Sequence, residues 1–352
     1  MNFVQIINQY GEKALFAFCL SFLFVILALI VYPKFELLDK PWKYGIKRKP
    51  IPYYGGLAMF LAFSISILFF VEVNAAVMGL ILGSGIIVIT GFLDDYFDLS
   101  PLIRLFAQFT AALMLVHFGI VIFSINIPFF GVISFSHPLL YDFAVVSAAF
   151  TIVWVMTIVN VMNFLDGVSG LNSGITFIAG LVLFLLSIHP GIHSDPVSQT
   201  NVATIALIIS MVALAFLIFD FPPARILMGD TGSTFLGYVL ATLAIFSGGK
   251  VATAFLVLGI PILDMLWVIL RRIFSGRAFW KGDLKHLHHR LMDLGVSACG
   301  VVIIYLVISA IFGFSAVSLA SGQQKFFMLT ALVVLMLLLA FALVFLPAKK
   351  KR

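Results

Sequence analysis

The chain has 352 residues, of which 62% are hydrophobic and only 10% charged, with a net charge of +6. Ordinary soluble domains are about 25% charged, so no soluble fold hides this much apolar surface and the chain reads as an integral membrane protein. Its two cysteines, Cys19 and Cys299, both fall in apolar runs, which excludes a disulfide framework and a cysteine metal site.

Apolar runs bounded by charge or by Gly and Pro predict eleven spans, near 14–32, 53–71, 75–93, 101–119, 139–160, 170–188, 200–219, 232–248, 251–271, 298–320 and 326–346. Each is near the roughly 20 residues that cross a bilayer. Backbone in lipid must satisfy its own hydrogen bonds, so all are read as helices. The first run has no small-residue cleavage site and is followed by positive charge, which predicts a retained helix. Between the fourth and fifth runs, 120–136 holds Ile125-Asn126-Ile127-Pro128 and Val132-Ile133-Ser134-Phe135 and predicts a short surface β-hairpin. The expected fold is an all-α polytopic membrane protein, 1–352 forming a single transmembrane catalytic domain without internal repeat or low-complexity tract.

Lys and Arg set the orientation. With the N-terminus outside, inner loops and helix ends hold Lys34, Lys40, Lys43, Lys47, Arg48, Lys49, Arg104, Arg225, Arg271, Arg272, Arg277, Lys281, Lys285, Arg290 and Lys349 to Arg352, which is 18 of the 21. Only Lys13, Lys250 and Lys325 fall outside. The positive-inside rule therefore predicts the N-terminus out and the C-terminus cytoplasmic. The net charge of +6 suits anionic headgroups and phosphorylated ligands, but the topology signal alone accounts for it.

Polar clusters then collect at the inner ends of the spans. Asp94, Asp95 and Asp98 close the third, Asn160, Asn163 and Asp166 the fifth, Asp230 opens the eighth, and Asp264 lies about two turns inside the ninth, followed by His286, His288 and His289. Three close carboxylates repel, and such clusters are tolerated where a cation or proton sits among them. Asp94 and Asp98 are four apart and share a face if the helix continues, while Asp95 points about 100° away. Asn160, Asn163 and Asp166 recur every three residues as a polar stripe, facing either a cavity or a neighbouring helix. Asp230, before Thr231-Gly232-Ser233, also reads as a simple helix cap. Carboxylates without cysteine suit Mg²⁺, which takes one or two of them with water and phosphate. His286, His288 and His289 sit among Lys281, Lys285 and Arg290, a cationic setting that favours a phosphate over Zn²⁺. Gly167, Gly170, Gly229 and Gly232 flank these acids and let backbone approach a ligand.

These motifs resemble the polyprenyl-phosphate N-acetylhexosamine-1-phosphate transferases. The likeness runs from Asp39-Lys40-Pro41, Pro50-Ile51-Pro52 and Gly55-Gly56 through Asp94-Asp95-Tyr96-Phe97-Asp98, Asn160 to Gly167 and Met228 to Ser233, to Asp264 and His286-Leu287-His288-His289-Arg290, positions 39–291. The His-Leu-His-His form and eleven spans are similar to the WecA/TagO-like branch, which starts surface polysaccharides such as O-antigen or teichoic acid.

The resemblance implies transfer of a sugar 1-phosphate, N-acetylglucosamine 1-phosphate first of all, from a UDP-sugar to undecaprenyl phosphate, releasing UMP. It implies Mg²⁺ as cofactor with Mn²⁺ as the alternative ion. The implied catalytic residues are Asp94, Asp95, Asp230 and His289, with Asp230 and Asp95 on the metal. Substrate contacts are expected from Lys49, Asp98, Asn160, Asn163, Asp166, Asp264, His286, His288 and Arg290. Expected partners are the UDP-N-acetylhexosamine, undecaprenyl phosphate and membrane lipids, with a second copy of the chain as a candidate partner and no nucleic acid. The expected location is the cytoplasmic membrane, with the site on the cytoplasmic face. Ser169 and Leu227 depart from the family pattern, where Asp and Phe are common; both positions are associated with the nucleotide base. Competing readings are the same reaction on UDP-MurNAc-pentapeptide, a secondary transporter or lipid flippase, and a membrane metallohydrolase built on the histidines.

Overall fold

The computed structural model describes residues 3–44, 48–127, 131–135, 144–189, 196–246, 255–274, 276, 286–319 and 322–345. The predicted cations Lys47, Arg277, Lys281, Lys285, Lys250 and Lys349 to Arg352 lie outside them. A helix stands at each of the predicted spans: α1 (Phe3–Val31), α2 (Gly55–Phe70), α3 (Ala75–Phe97), α4 (Pro101–His117), α5 (Ala144–Leu165), α6 (Leu171–Ser187), α7 (Pro196–Asp220), α8 (Gly229–Phe246), α9 (Gly259–Phe274), α11 (Ala298–Ser318) and α12 (Gly322–Phe345). A short helix, α10 (Leu287–Asp293), lies in the histidine loop. The hairpin is also present: β1 (Ser124–Ile127) pairs antiparallel with β2 (Gly131–Ser134), Ile125 opposite Ile133.

The chain is a multi-pass membrane protein. Among the described residues, five helices, α1, α3, α5, α7 and α11, are long and apolar enough to cross a bilayer, and α2, α4 and α6 are shorter apolar helices. Their outer faces turn large apolar side chains outward, with Phe69 71% exposed, Leu102 77% and Phe106 70%. Soluble monomers do not leave contiguous apolar surface of this kind open to water.

The bundle is built around α8. It packs against α2, α3, α5, α6 and α7, and nearly every residue from Gly229 to Ile245 is buried. Glycines permit that crowding at its first turn. A Cβ on Gly56 of α2 would stand 2.3 Å from the nitrogen of Gly232, and one on Gly91 of α3 would stand 2.6 Å from the Thr231 Cα. Three helices thus meet at backbone contact where α8 begins. The loop before it is zipped to the entry of α2: Leu227 donates to the Pro52 carbonyl at 2.9 Å, Gly55 to the Leu227 carbonyl at 2.9 Å, and Gly56 to the Met228 carbonyl at 3.0 Å. Leu227 therefore joins the two motifs through its backbone.

Local caps start some helices. Asn74 accepts from the Val77 N–H at the head of α3, Ser297 does the same for Gly300 at α11, and Pro101 stands at the first position of α4. Asp98 does not share a helical face with Asp94. Helix α3 ends at Phe97, and Asp98 takes a left-handed conformation (φ 54°), its N–H donating to the Asp94 carbonyl at 2.8 Å. The reason is local: the Asp94 carboxylate also takes the N–H of Leu99, at 2.8 Å, and bends the chain toward Pro101.

Candidate active site

Three acids at or near the ends of the spans, Asp95, Asp220 and Asp264, hold other helices in place. Asp95, at the end of α3, accepts the N–H of Asp230 and of Thr231, both at 3.0 Å, and the Thr231 hydroxyl at 2.6 Å. It caps α8 from another helix. Asp220, at the end of α7, accepts the Gly170 N–H at 2.9 Å and the Ser173 hydroxyl at 2.6 Å, fixing the start of α6. Asp264 in α9 accepts the Leu287 N–H at 2.8 Å and stands 3.1 Å from His286 Nδ1, fixing the start of α10. Free N–H groups at a helix start need such acceptors, and a carboxylate also suits the positive end of the helix dipole.

With Asp95 as the cap of α8, the Asp230 side chain is left for another use. It faces the Asp94 carboxylate, and one nitrogen of Arg104 reaches both: Nη1 donates to Asp94 Oδ2 at 3.1 Å and to Asp230 Oδ2 at 3.4 Å. Asp94 is buried, while Asp230 and Arg104 are about one-third exposed. The bland reading of Asp230 as only a helix cap does not hold.

Around this triplet opens a cavity of about 600 Å³ between α3, α4, α5, α8 and α9. Its polar end holds Asp94, Arg104, Asp230, Asn163, Asn160, Gln108 and Thr234, and its walls are apolar, including Ile87, Leu105, Val153, Met156, Met265 and Ile269. The amides are held in register. Asn163 donates to the Ser233 hydroxyl at 3.2 Å, and Asn160 donates to Gln108 Oε1 and to the Met156 carbonyl, each at 2.7 Å.

The polar stripe of α5 therefore divides. Asn160 and Asn163 face the cavity, whereas Asp166 lies beyond the helix, which stops at Leu165. Burial raises the Asp166 carboxyl well above the usual carboxylate range, reinforced by Asp220, Asp230 and Asp95. Next to it, Gly167 lies against His288, where a Cβ would come 2.4 Å from Nε2.

The histidines form one stack beside this loop. The His286 and His288 rings are parallel (4°) with centroids 5.6 Å apart, His289 lies 4.3 Å from His288, and Phe164 of α5 stacks on His286 at 5.9 Å. His288 is fully buried, and among the described residues neither ring nitrogen has a hydrogen-bond partner. Burial, then His289 and His286, lower it to about 3, so it is neutral at physiological pH. His289 is lowered too, by burial and then His286. Arg290 follows, partly buried, in α10.

Lys49 and Asp98 are exposed and line no part of the cavity. Lys49 acts locally, its carbonyl accepting from Arg48, which clamps Asp39 through two nitrogens at 3.1 and 2.6 Å. Two residues on α4, Arg104 and Gln108, join the site although no sequence motif contains them. The available signal is a charge and an amide four apart on an otherwise apolar helix, which brings them to one face.

The sequence is similar to known proteins over most of its length. Residues 77–248 match the model of glycosyl transferase family 4. A probable undecaprenyl-phosphate N-acetylglucosaminyl 1-phosphate transferase of Bacillus subtilis is 29% identical, covering 92% of this chain and 90% of that protein. A decaprenyl-phosphate N-acetylglucosaminephosphotransferase of Mycobacterium tuberculosis is 32% identical, covering 76% and 72%. An undecaprenyl-phosphate α-N-acetylglucosaminyl 1-phosphate transferase of Thermotoga maritima is 27% identical, covering 92% and 94%.

Proposed function

The chain belongs to glycosyl transferase family 4, the polyprenyl-phosphate N-acetylglucosamine-1-phosphate transferases, and from that premise we propose the following reaction. It transfers N-acetylglucosamine 1-phosphate from UDP-N-acetylglucosamine to a polyprenyl phosphate. The observation that carries the reading is the Asp94–Arg104–Asp230 triplet at the polar end of an apolar cavity. A lipid phosphate needs that combination: apolar walls for the first isoprene units and charge where the phosphate ends. An oxygen of the acceptor phosphate forms a bond to the β-phosphorus of the donor. The α–β bridging bond breaks and UMP leaves with its electron pair. Phosphoryl transfer depends chiefly on positioning and charge neutralisation.

The donor set suits Mg²⁺. Asp94 and Asp230 are two carboxylates facing each other, neutral oxygens stand at Asn163, Asn160 and Thr234, and among the described residues neither Cys nor His lines the cavity. A hard ion taking one or two carboxylates and filling its remaining positions with water and phosphate fits those groups. Asp230 and Asp94 would hold it, with Asp95 positioning Asp230 rather than ligating. When bound, the ion neutralises phosphate charge. Arg104 adds a permanent positive charge, Asn163 and Asn160 orient the donor from α5, and His289, the partly exposed member of the histidine stack, supplies a hydrogen bond to the sugar and pyrophosphate where the donor extends beyond the cavity, with buried His286 and His288 holding it in place.

The 18-to-3 charge split supports eleven spans with the N-terminus outside and the site on the cytoplasmic face, where a soluble nucleotide and a membrane lipid meet. The product would start a cell-surface polysaccharide. Purified protein incubated with sugar-labelled UDP-N-acetylglucosamine, Mg²⁺ and undecaprenyl phosphate should yield chloroform-soluble label only when all three are present. Label that stays in water would refute the transferase, and label lost without added lipid as free sugar phosphate would favour a hydrolase.

A further inference from the structure

The Arg104 guanidinium occupies the gap between the two carboxylates that the proposed function assigns to a divalent ion. A single nitrogen, Nη1, serves both acids, at 3.1 and 3.4 Å, and the side chain is 39% exposed and lines the cavity. Asp94 also has a second, independent partner, the Leu99 N–H, so its position does not depend on Arg104. Asp230 is fixed through its backbone by Asp95. The arginine is thus the most exposed of the three and has the longest side chain to swing aside.

We propose that Arg104 is a displaceable counter-cation: it neutralises the Asp94–Asp230 pair before metal enters, is displaced by the divalent ion, and then turns onto the phosphate of the lipid acceptor. The proposal rests on the metal reading above. Two carboxylates and one guanidinium carry a net charge of −1, and a divalent ion brings the group to +1. Arg104 and the ion then repel, and an arriving phosphate oxygen is the favourable partner for the freed fork of N–H donors. The acceptor is preferred over the donor because α4 also contributes Leu105 and Ala107 to the apolar wall. The group that meets Arg104 first is therefore one attached to an apolar tail. Gln108, one turn further along α4 and bonded to Asn160, marks the same face.

The test is Mn²⁺ binding to the detergent-purified full chain without substrates, followed by electron paramagnetic resonance, for the native protein, Arg104→Gln and Asp230→Asn. Arg104→Gln should bind Mn²⁺ more tightly by at least about fivefold, the factor that removing a unit charge from about 8 Å of a divalent ion gives even at water-like screening. In turnover, the same variant should raise KM for undecaprenyl phosphate more than KM for the nucleotide sugar. Arg104→Lys, a cation without the fork, should restore Mn²⁺ affinity toward native but not the acceptor KM. Unchanged or weaker Mn²⁺ binding in Arg104→Gln, with native binding lost in Asp230→Asn, overturns this inference and leaves the metal assignment standing. Mn²⁺ binding indifferent to Asp230→Asn overturns both. A KM effect confined to the donor overturns the transfer of Arg104 to the acceptor. Thermal unfolding of each variant, within a few degrees of native, excludes a folding defect as the cause.

Discussion

Asp95 accepts the backbone N–H of Asp230 at 3.0 Å from 135 positions away. One acid thereby releases the other: the first turn of α8 is capped from α3, and the Asp230 carboxylate faces Asp94 and Arg104 instead of its own helix.

The two acids should therefore fail differently. Asp95→Asn keeps one acceptor oxygen but loses part of the cap, costing about 1–2 kcal/mol, and is expected to lower the unfolding temperature while residual activity keeps its native Mg²⁺ dependence. Asp230→Asn should leave the unfolding temperature near native and reduce turnover about 10²-fold or more. Unfolding curves and Mg²⁺ titrations of both variants check this. A stable Asp95→Asn with altered Mg²⁺ dependence would return Asp95 to the ligand set.

Gly56→Ala tests the backbone contact under α8. The added methyl meets the Gly232 nitrogen at 2.3 Å and its Cα at 2.5 Å. Backbone cannot swing aside, so α2 or α8 must shift and carry Asp230 with it. Displacements of about 1 Å cost about 10²-fold in rate. The expected result is a loss of that order in kcat with the circular dichroism of the helices unchanged; native kcat would mean the contact is slack.

His288 gives a pH dependence of stability. Its folded-state value is held down to about 3, against about 6.5 for an exposed histidine. The stabilising contribution is complete above about pH 6.5 and is lost as pH falls from there toward 3, because the unfolded chain takes up a proton that the folded chain refuses. Lowering the pH from 7 to 5 should reduce the unfolding temperature of the native protein more than that of His288→Leu. Equal slopes would show that His288 is protonated in the fold.

Asp166 has the opposite sign. Its carboxyl is raised by burial and neighbouring acids, so it favours the folded state at low pH and loses that contribution as pH rises above the ordinary carboxylate range. Asp166→Asn should raise the unfolding temperature at pH 7 to 8 while lowering activity, the trade-off expected of a strained functional group. An Asp166→Asn protein that is less stable at pH 8 than native would make Asp166 structural.

Much of this was legible in the sequence because membrane helices announce themselves locally. The apolar runs located the helices, the alternation at Ile125 and Ile133 located the hairpin, the crowding of acids pointed to Asp94, Asp95 and Asp98, and Asp230 came from the family resemblance. Which acid does what was not legible. Asp95, Asp220 and Asp264 cap helices from 135, 50 and 23 positions away, whereas capping rules read only the residues adjoining a helix start. The expected Asp94–Asp98 face failed for a different, local reason: the Asp94 side chain takes the N–H of Leu99, five residues on, and ends the helix before Asp98. Arg104 counted only as an orientation charge, since nothing in the sequence of α4 says which helices stand opposite it.

The central claim is that the donor's β-phosphorus, not only its sugar, moves onto the lipid. It is tested most directly by giving the purified protein UDP-N-acetylglucosamine labelled at the β-phosphorus, with Mg²⁺ and undecaprenyl phosphate, and identifying the nucleotide released. The mechanism predicts label in the chloroform phase and UMP in water in equal amounts; label retained in water as UDP would mean transfer of the sugar alone and would contradict it.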